Sequence, residues 1–377
     1  MKIARVEAVP VRLPFKQVGP PAIALGRPMT TIDFLVVRVE TDTGLVGWGE
    51  TPLGSWRLVK AILDDFIGPS VVGREIDDVP GLMLDLQRVV YVLGRYGLTM
   101  FALSGLDTAL WDIAGKAAGV PLYQLFGGSR QPVPAYISLW VAYRRSNRAW
   151  DWESTDPAVL ADRTRAAVAT GCRHVKLHGT IESDLRLIRE VAGDGVAIMI
   201  DTMCRWSYDE AREALLRLKP YDLYWVEEPI FPPEDFAGLA RLRQETGARI
   251  AAGENACTEY EFAAMLAAGA VDVAQPNVTR IGGVTEFRKA LALAAQHGVE
   301  VSPHARFLGP GLLATLHLMS AQPQPGLVER VGLDLEASLY PAAVLDPKDG
   351  AFILPDGPGL GVEPDLDVLE ACRIRDV

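Results

Sequence analysis

Between residues 133 and 332 the chain repeats one rhythm: a short apolar run, a turn, an amphipathic stretch, and then the next apolar run. The runs are VPAYISLW (133–140), HVKLHG (174–179), AIMIDTM (197–203), YWVEEP (224–229), RIAAGEN (249–255), DVAQPN (272–277), EVSPHA (300–305) and LVERVG (327–332). Segments such as DPAVLADRTRAAVATG and EYEFAAMLAAG fill the gaps. Buried strands with helix-length spacers mark parallel βα units, because a parallel neighbour is reached only by a crossover. Eight strands over about 200 residues predict an α/β fold, a compact TIM-type barrel. A doubly wound open sheet is the structural alternative.

The residues before this region read differently. IARVEAVPVRL and DFLVVRVETDTGLVGWGE alternate apolar and polar positions, with a hairpin turn at Asp42-Thr43-Gly44. A loop from Gly19 to Met29, with three prolines, separates them. Helical spacing follows at 56–66, 76–94 and 100–119, the last closing on Gly119 with Pro121 just beyond. Strands first and helices after predict a self-contained α+β domain over 1–128, then the barrel over 129–340. The Gly- and Pro-rich tail, 341–377, lacks the barrel rhythm and is expected to return to the first domain.

A net charge of −11 argues against nucleic acid and anionic membranes as partners, since both call for a basic surface. No apolar run is long enough for a transmembrane helix, and the N-terminus lacks the apolar block of a signal peptide. Cys172, Cys204, Cys257 and Cys372 are scattered without a CxxC pair, which suggests reduced thiols, a cytoplasmic setting and no structural zinc. Gly309–Ala314 loosely matches GxGxxA, but its proline and the absence of a suitably placed ribose-binding acid count against a dinucleotide site.

In a barrel, chemistry sits at the C-terminal ends of the strands. Asp201, Glu227 and Glu254 occupy such ends on strands three, four and five, 26 and 27 residues apart. Three converging carboxylates repel one another, and a hard divalent cation resolves the conflict; an all-oxygen shell favours Mg²⁺. Singly, each acid reads equally well as a helix cap or an arginine partner. Glu228 points the other way by alternation and is expected to be structural.

Lys176 and His178, two apart at the end of strand two, face the interior together. A lysine beside a metal is expected to have a depressed pKa suited to a base, and histidine titrates near neutrality unaided. His304 ends strand seven, across the barrel. His174 lies lower and is expected in the core, while His297 and His317 sit on helical stretches.

The series SGLDTALWDIAGKAAGVPLYQLFGG, VKLHG, IMIDTM, WVEEP, GEN, QPNVTRIGGVTE, SPHA and PDGPGLGVE resembles, in order and over nearly the whole chain, the mandelate racemase/muconate lactonizing enzyme branch of the enolase superfamily. The resemblance implies a (β/α)₇β barrel, an α+β cap completed by the tail, and Mg²⁺ on Asp201, Glu227 and Glu254. The histidine on strand seven is similar to the mandelate racemase subgroup. That subgroup usually carries Lys-x-Lys on strand two, where this chain has Lys176-Leu177-His178, and an aspartate beside the histidine, where it has Asn277. Asn277 is able to orient His304 but brings no negative charge, so His304 is expected to be a proton donor more than a base. Glu329 matches a position that hydrogen-bonds the substrate carboxylate in mandelate racemase.

The implied chemistry is removal of the proton α to a carboxylate, by Lys176 or His178, through an enediolate. Dehydration of an acid sugar to a 2-keto-3-deoxy acid is the leading expectation. Racemisation or epimerisation, lactone cycloisomerisation, and a non-catalytic metal- and carboxylate-binding relative are the alternatives. Specificity is expected from Pro20–Met29, including Arg27, and from Thr51–Trp56. Trp140, Trp206 and Phe307 are candidate pocket walls, and the family implies a homo-oligomer, from dimer to octamer.

Overall fold

The computed structural model describes residues 1–16, 23–24, 27–54, 56–139, 143–145, 152–154 and 156–375; for 23–24, 27–28, 143–145 and 152–154 it describes the backbone alone. The Arg27 side chain and Trp140 therefore lie outside the described residues.

Three antiparallel strands, Ile3–Pro14, Thr31–Thr41 and Val46–Glu50, form the first sheet in that order. The turn between the last two closes with Gly44 N–H on Thr41 O at 3.0 Å, and Gly44 takes φ +83°, which glycine adopts without a Cβ clash. The long helix Leu98–Ala118 lies across this sheet. It comes so near that a Cβ on Gly49 would sit 1.8 Å from Gly105 O, and one on Gly47 2.1 Å from Ala109 O. Those glycines set the depth of the packing. The helix ends on Gly119 at φ +69°, as its sequence predicts.

The eight barrel strands are Val133–Leu139, His174–His178, Ala197–Asp201, Trp225–Glu227, Ile250–Ala252, Val273–Ala274, Glu300–Val301 and Val328–Val331. Every recorded pairing between them is parallel, and they run side by side in the order seven, six, five, four, three, two, one, eight. Each of the first seven is followed by a helix before the next strand begins. This is the predicted barrel. The ladders stop a few residues short of the predicted C-terminal ends, because there the chain leaves the sheet to present side chains at the mouth.

Among the described residues no ladder joins strand seven to strand eight. Ser302 Oγ bridges the seam by donating to Leu327 O at 2.7 Å. Lower in the barrel, Tyr136, Met199, Trp225, Ala251, Val273 and Leu327 form a separate apolar cluster that fills the interior. Trp225 stands edge-on to Tyr136 with ring centroids 5.5 Å apart.

Carboxylates with backbone partners join the first sheet and its helix to the barrel. Asp107 accepts from Thr285 N at 2.9 Å, at the start of the helix Gly283–His297. Asp112 accepts from Trp48 N at 3.0 Å and Leu360 N at 2.8 Å. Glu50 accepts from Gly311 N at 2.9 Å, in the first turn of the helix Pro310–Ser320. The C-terminal segment pairs Ala351–Phe352 antiparallel with strand one, and then meets the outer strand of the first sheet. There Ile374 N donates to Pro10 O and Arg12 N to Cys372 O, both at 2.9 Å. No helix among the described residues is long and apolar enough to cross a membrane. The four cysteines are free thiols.

Candidate active site

Alternation along the short strands brings the predicted residues together. Asp201 and Glu227 are register partners on strands three and four, so their side chains rise from adjacent positions. Glu254 follows strand five by two residues. One oxygen from each of the three carboxylates lies within 4.8 Å of the others. The donors are all oxygen, all anionic and screened from solvent, which suits a hard divalent cation such as Mg²⁺.

Other side chains aim the three acids. Asp201 Oδ1 accepts from Met203 N at 2.8 Å, and its Oδ2 lies 3.3 Å from His178 Nε2. Burial would raise the Asp201 pKa, but His178 and Lys176 hold it well below the usual range. Glu227 is wholly buried and receives Lys176 Nζ at 2.8 and 3.1 Å, Gln275 Nε2 at 2.8 Å and Trp225 Nε1 at 3.2 Å. Glu254 lies between Arg280 Nη1, at 2.7 Å from Oε1, and His304 Nε2, at 3.1 Å from Oε2. Met203, Cys204 and Glu228 take positive φ of 49°, 52° and 45°, the left-handed region that non-glycine residues rarely visit. This places backbone strain directly beside Asp201 and Glu227.

Lys176 departs from the sequence expectation. Its ammonium is fully buried, bound to Glu227, 3.3 Å from Glu329 Oε1 and 3.8 Å from Asp201 Oδ2. Burial alone would favour the neutral amine, yet Glu227, Glu329 and Asp201 outweigh it and raise the pKa well above the ordinary value. Among these carboxylates the ammonium form of Lys176 is favoured. His178, two residues nearer the mouth, is partly exposed.

Glu329 lies between Lys176 and the chain that carries His304. Lys176, His304 and His178 draw its pKa down to about 2 against burial, so it is ionised, and it accepts from Ala305 N at 3.1 Å. Its charge offsets that of Lys176, and its bond to Ala305 N ties strand eight to the chain that carries His304.

His304 is buried, with Nδ1 2.7 Å from Asn277 Nδ2 and Nε2 also 3.9 Å from Glu329 Oε2. Burial lowers its pKa against the pull of Glu254 and Glu329.

The other sequence candidates have partners of their own. Glu228 is held by Asn255 Nδ2 at 2.8 Å, and burial lifts it to about 8. His174 is at the N-terminal end of strand two, edge-on to Tyr224 at 5.0 Å. His317 is buried with Tyr123 N 3.3 Å from Nδ1 and Leu360 O 3.1 Å from Nε2, while His297 ends a helix. Phe307 is buried and Trp206 half-buried.

Residues not singled out from the sequence are Tyr136, Gln275, Thr279, Arg280 and Arg306. The first four are tied to the site by direct contacts; Arg306 is half-buried and feels the charges of Glu329 and Glu254. Arg306 follows His304 by two residues, a spacing that the alternation used for Lys176 and His178 would have flagged.

Comparison with known proteins agrees with this geometry. The family model for the mandelate racemase/muconate lactonizing enzyme N-terminal domain matches residues 5–127, and the enolase C-terminal domain-like model matches 159–368. D-galactarolactone cycloisomerase of Agrobacterium fabrum is 34% identical over 355 residues, covering 91% of this chain and 92% of the relative. Arabinonate dehydratase of Saccharolobus solfataricus is 31% identical, covering 88% of each. A racemase from Streptomyces coelicolor solved with bound magnesium superposes with a TM-score of 0.84 at 28% identity, over 99% of this chain and 100% of that one. The chain is thus an enzyme, a lyase or isomerase, and it belongs to the mandelate racemase/muconate lactonizing enzyme family of the enolase superfamily.

Proposed function

We propose that this enzyme removes the proton α to the carboxylate of a small acid sugar and expels the β-hydroxyl, giving a 2-keto-3-deoxy acid. The observation that carries the reading is the division of labour at the mouth. Lys176 is spent on charge, whereas His178 and His304 flank the three converging acids with ring nitrogens turned inward.

Asp201, Glu227 and Glu254 would hold Mg²⁺, whose charge would lower the energy of the enediolate. His178 takes the proton from Cα, and the C–H electron pair moves into the enediolate. That pair then forms the Cα=Cβ bond as the β C–O bond breaks. The departing oxygen meets the His304 N–H and leaves as water with the proton brought by His178. The enol that remains tautomerises to the keto acid. Lys176 stays protonated throughout, offsetting the carboxylates around it. Glu329 holds Ala305 and so steadies the loop that carries His304.

A cycloisomerase reading shares every step except that the β-oxygen belongs to a ring and stays attached to the product. Its support is the likeness to D-galactarolactone cycloisomerase. Racemisation or epimerisation is less favoured, because it asks for two comparable bases and Asn277 leaves His304 Nδ1 without a carboxylate partner. The non-catalytic reading falls away with the family's dehydratases and cycloisomerases. The same proposal treats 1–128 as the cap, 129–340 as the barrel and 341–377 as the returning tail. It also includes a homo-oligomer in the cytoplasm.

The test is proton NMR of the Mg²⁺-loaded enzyme in D₂O with pooled mono- and diacid sugars. Loss of an α-proton signal with new 3-deoxy signals supports dehydration. Exchange without 3-deoxy signals points to an epimerase. No change across the pool counts against the reading.

A further inference from the structure

We propose that Thr279 and Asn277 are positioning residues that fix the hydrogen of neutral His304 on Nε2, making His304 a donor toward the reacting atoms. The inference deepens the reading above and rests on His304 facing the reaction.

It follows from what each atom is able to do. A backbone N–H can only donate, and Thr279 N lies 2.9 Å from one terminal atom of the Asn277 amide. That atom must therefore be the oxygen, whichever way the amide is drawn. Thr279 Oγ1 donates to the same oxygen at 2.8 Å. The other end of the amide is then the NH₂, which can only donate, and it lies 2.7 Å from His304 Nδ1. Nδ1 must accept, so it carries no hydrogen, and a neutral ring carries its hydrogen on Nε2. Nε2 faces two acceptors, Glu254 Oε2 at 3.1 Å and Glu329 Oε2 at 3.9 Å. Every contact in the chain has the same polarity.

The arrangement is held from two sides. Asn277 O accepts from Arg280 N at 3.0 Å and Ile281 N at 2.9 Å, which pins the turn bearing Thr279. Across from it, a Cβ on Gly311 would lie 2.8 Å from Thr279 Cγ2, so the backbone of the helix Pro310–Ser320 closes over the threonine. Thr279 and Asn277 are both buried. Turning the amide over would aim its NH₂ at the Thr279 N–H, which can only donate, and a buried group left unpaired costs about 1–3 kcal/mol. An aspartate at 277 would do the reverse: it would accept from Nδ1–H and leave Nε2 bare, the form a base requires. The substitution thus inverts the ring's polarity as well as removing a charge, and the removal of the Cα proton falls to His178.

Nitrogen-15 NMR of histidine-labelled enzyme, Mg²⁺-free and Mg²⁺-loaded, reads this directly, with an H304Q sample assigning the signal. His304 is expected to show a pyrrole-like Nε2 and a pyridine-like Nδ1 in both preparations. In N277D, Nδ1 is expected to acquire hydrogen. A wild-type ring with its hydrogen on Nδ1, or an N277D ring that keeps Nδ1 bare, overturns the proposal. The measurement needs no turnover: the expected tautomer in an enzyme inert to every acid supports this inference and counts against the functional reading alone.

Discussion

The molecule buries carboxylates in two regions and treats them in opposite ways. At the joint between the first sheet and the barrel, Asp107, Asp112 and Glu50 each face backbone N–H groups that the fold supplies. At the mouth, Asp201, Glu227, Glu254 and Glu329 face one another, two histidines, Arg280 and one buried lysine. Burial lifts the joint acids, to about 7 for Asp107, about 6 for Asp112 and about 8 for Glu50. Charge partners pull Asp201, Glu254 and Glu329 the other way, while burial raises Glu227 in spite of Lys176. At the joint, backbone N–H groups do most of the holding, with Lys116 Nζ 2.9 Å from Asp112 as the one cation among the described residues. At the mouth, cations keep three of the four acids ionised against burial.

This contrast is open to attack by mutation, beginning at the mouth. Replacing Glu254 with Ala is expected to abolish tight Mg²⁺ binding in calorimetry and to lower turnover by about a thousandfold or more, with the melting temperature little changed. Retained affinity would sink the ligand assignment. His178→Asn is expected to slow α-proton exchange by about 10²–10⁴-fold while Mg²⁺ still binds. If Lys176→Met gave the larger loss of exchange with Mg²⁺ affinity intact, the roles of the two would have to be swapped.

At the joint the expected losses are of stability. Glu50 has its pKa raised on folding, so its contribution is whole below about 4.5 and is lost as pH rises through about 8. Melts across that window should show stability falling with pH, on the order of 5 kcal/mol from this group, and Glu50→Gln should flatten the slope. An unchanged slope would mean that the joint acids are not protonated on folding. Asp107→Ala leaves Thr285 N–H without its partner and should cost about 2 kcal/mol in denaturant unfolding, with Mg²⁺ affinity unaltered.

Much of this was legible in the chain because it is carried by local periodicity. The eight barrel strands begin within one residue of the apolar runs, and the acids on strands three to five sit where alternation puts them. Gly44 and Gly119 mark their turns for a reason confined to their own φ. Lys176 was placed correctly but its state was not foreseen, since that depends on Glu227 and Glu329, 51 and 153 residues away, summed inside a low-dielectric interior. Thr279 passed unnoticed because an Asx turn looks the same in any loop until a histidine is seen behind it. Glu50 was equally silent, its partner lying 261 residues on.

The barrel is a ring with a slit. Where strands seven and eight meet, a serine hydroxyl on a carbonyl stands in for a ladder, and His304 and Glu329 lie on opposite banks. Along a ladder, an inserted residue shifts the register and turns every later side chain to the wrong face. Across the slit there is no register to break, so the chain after Ser302 can lengthen, shorten or be exchanged while the other strands keep their alignment. A lineage in search of new substrates would find its cheapest edits there, next to His304 and Glu329.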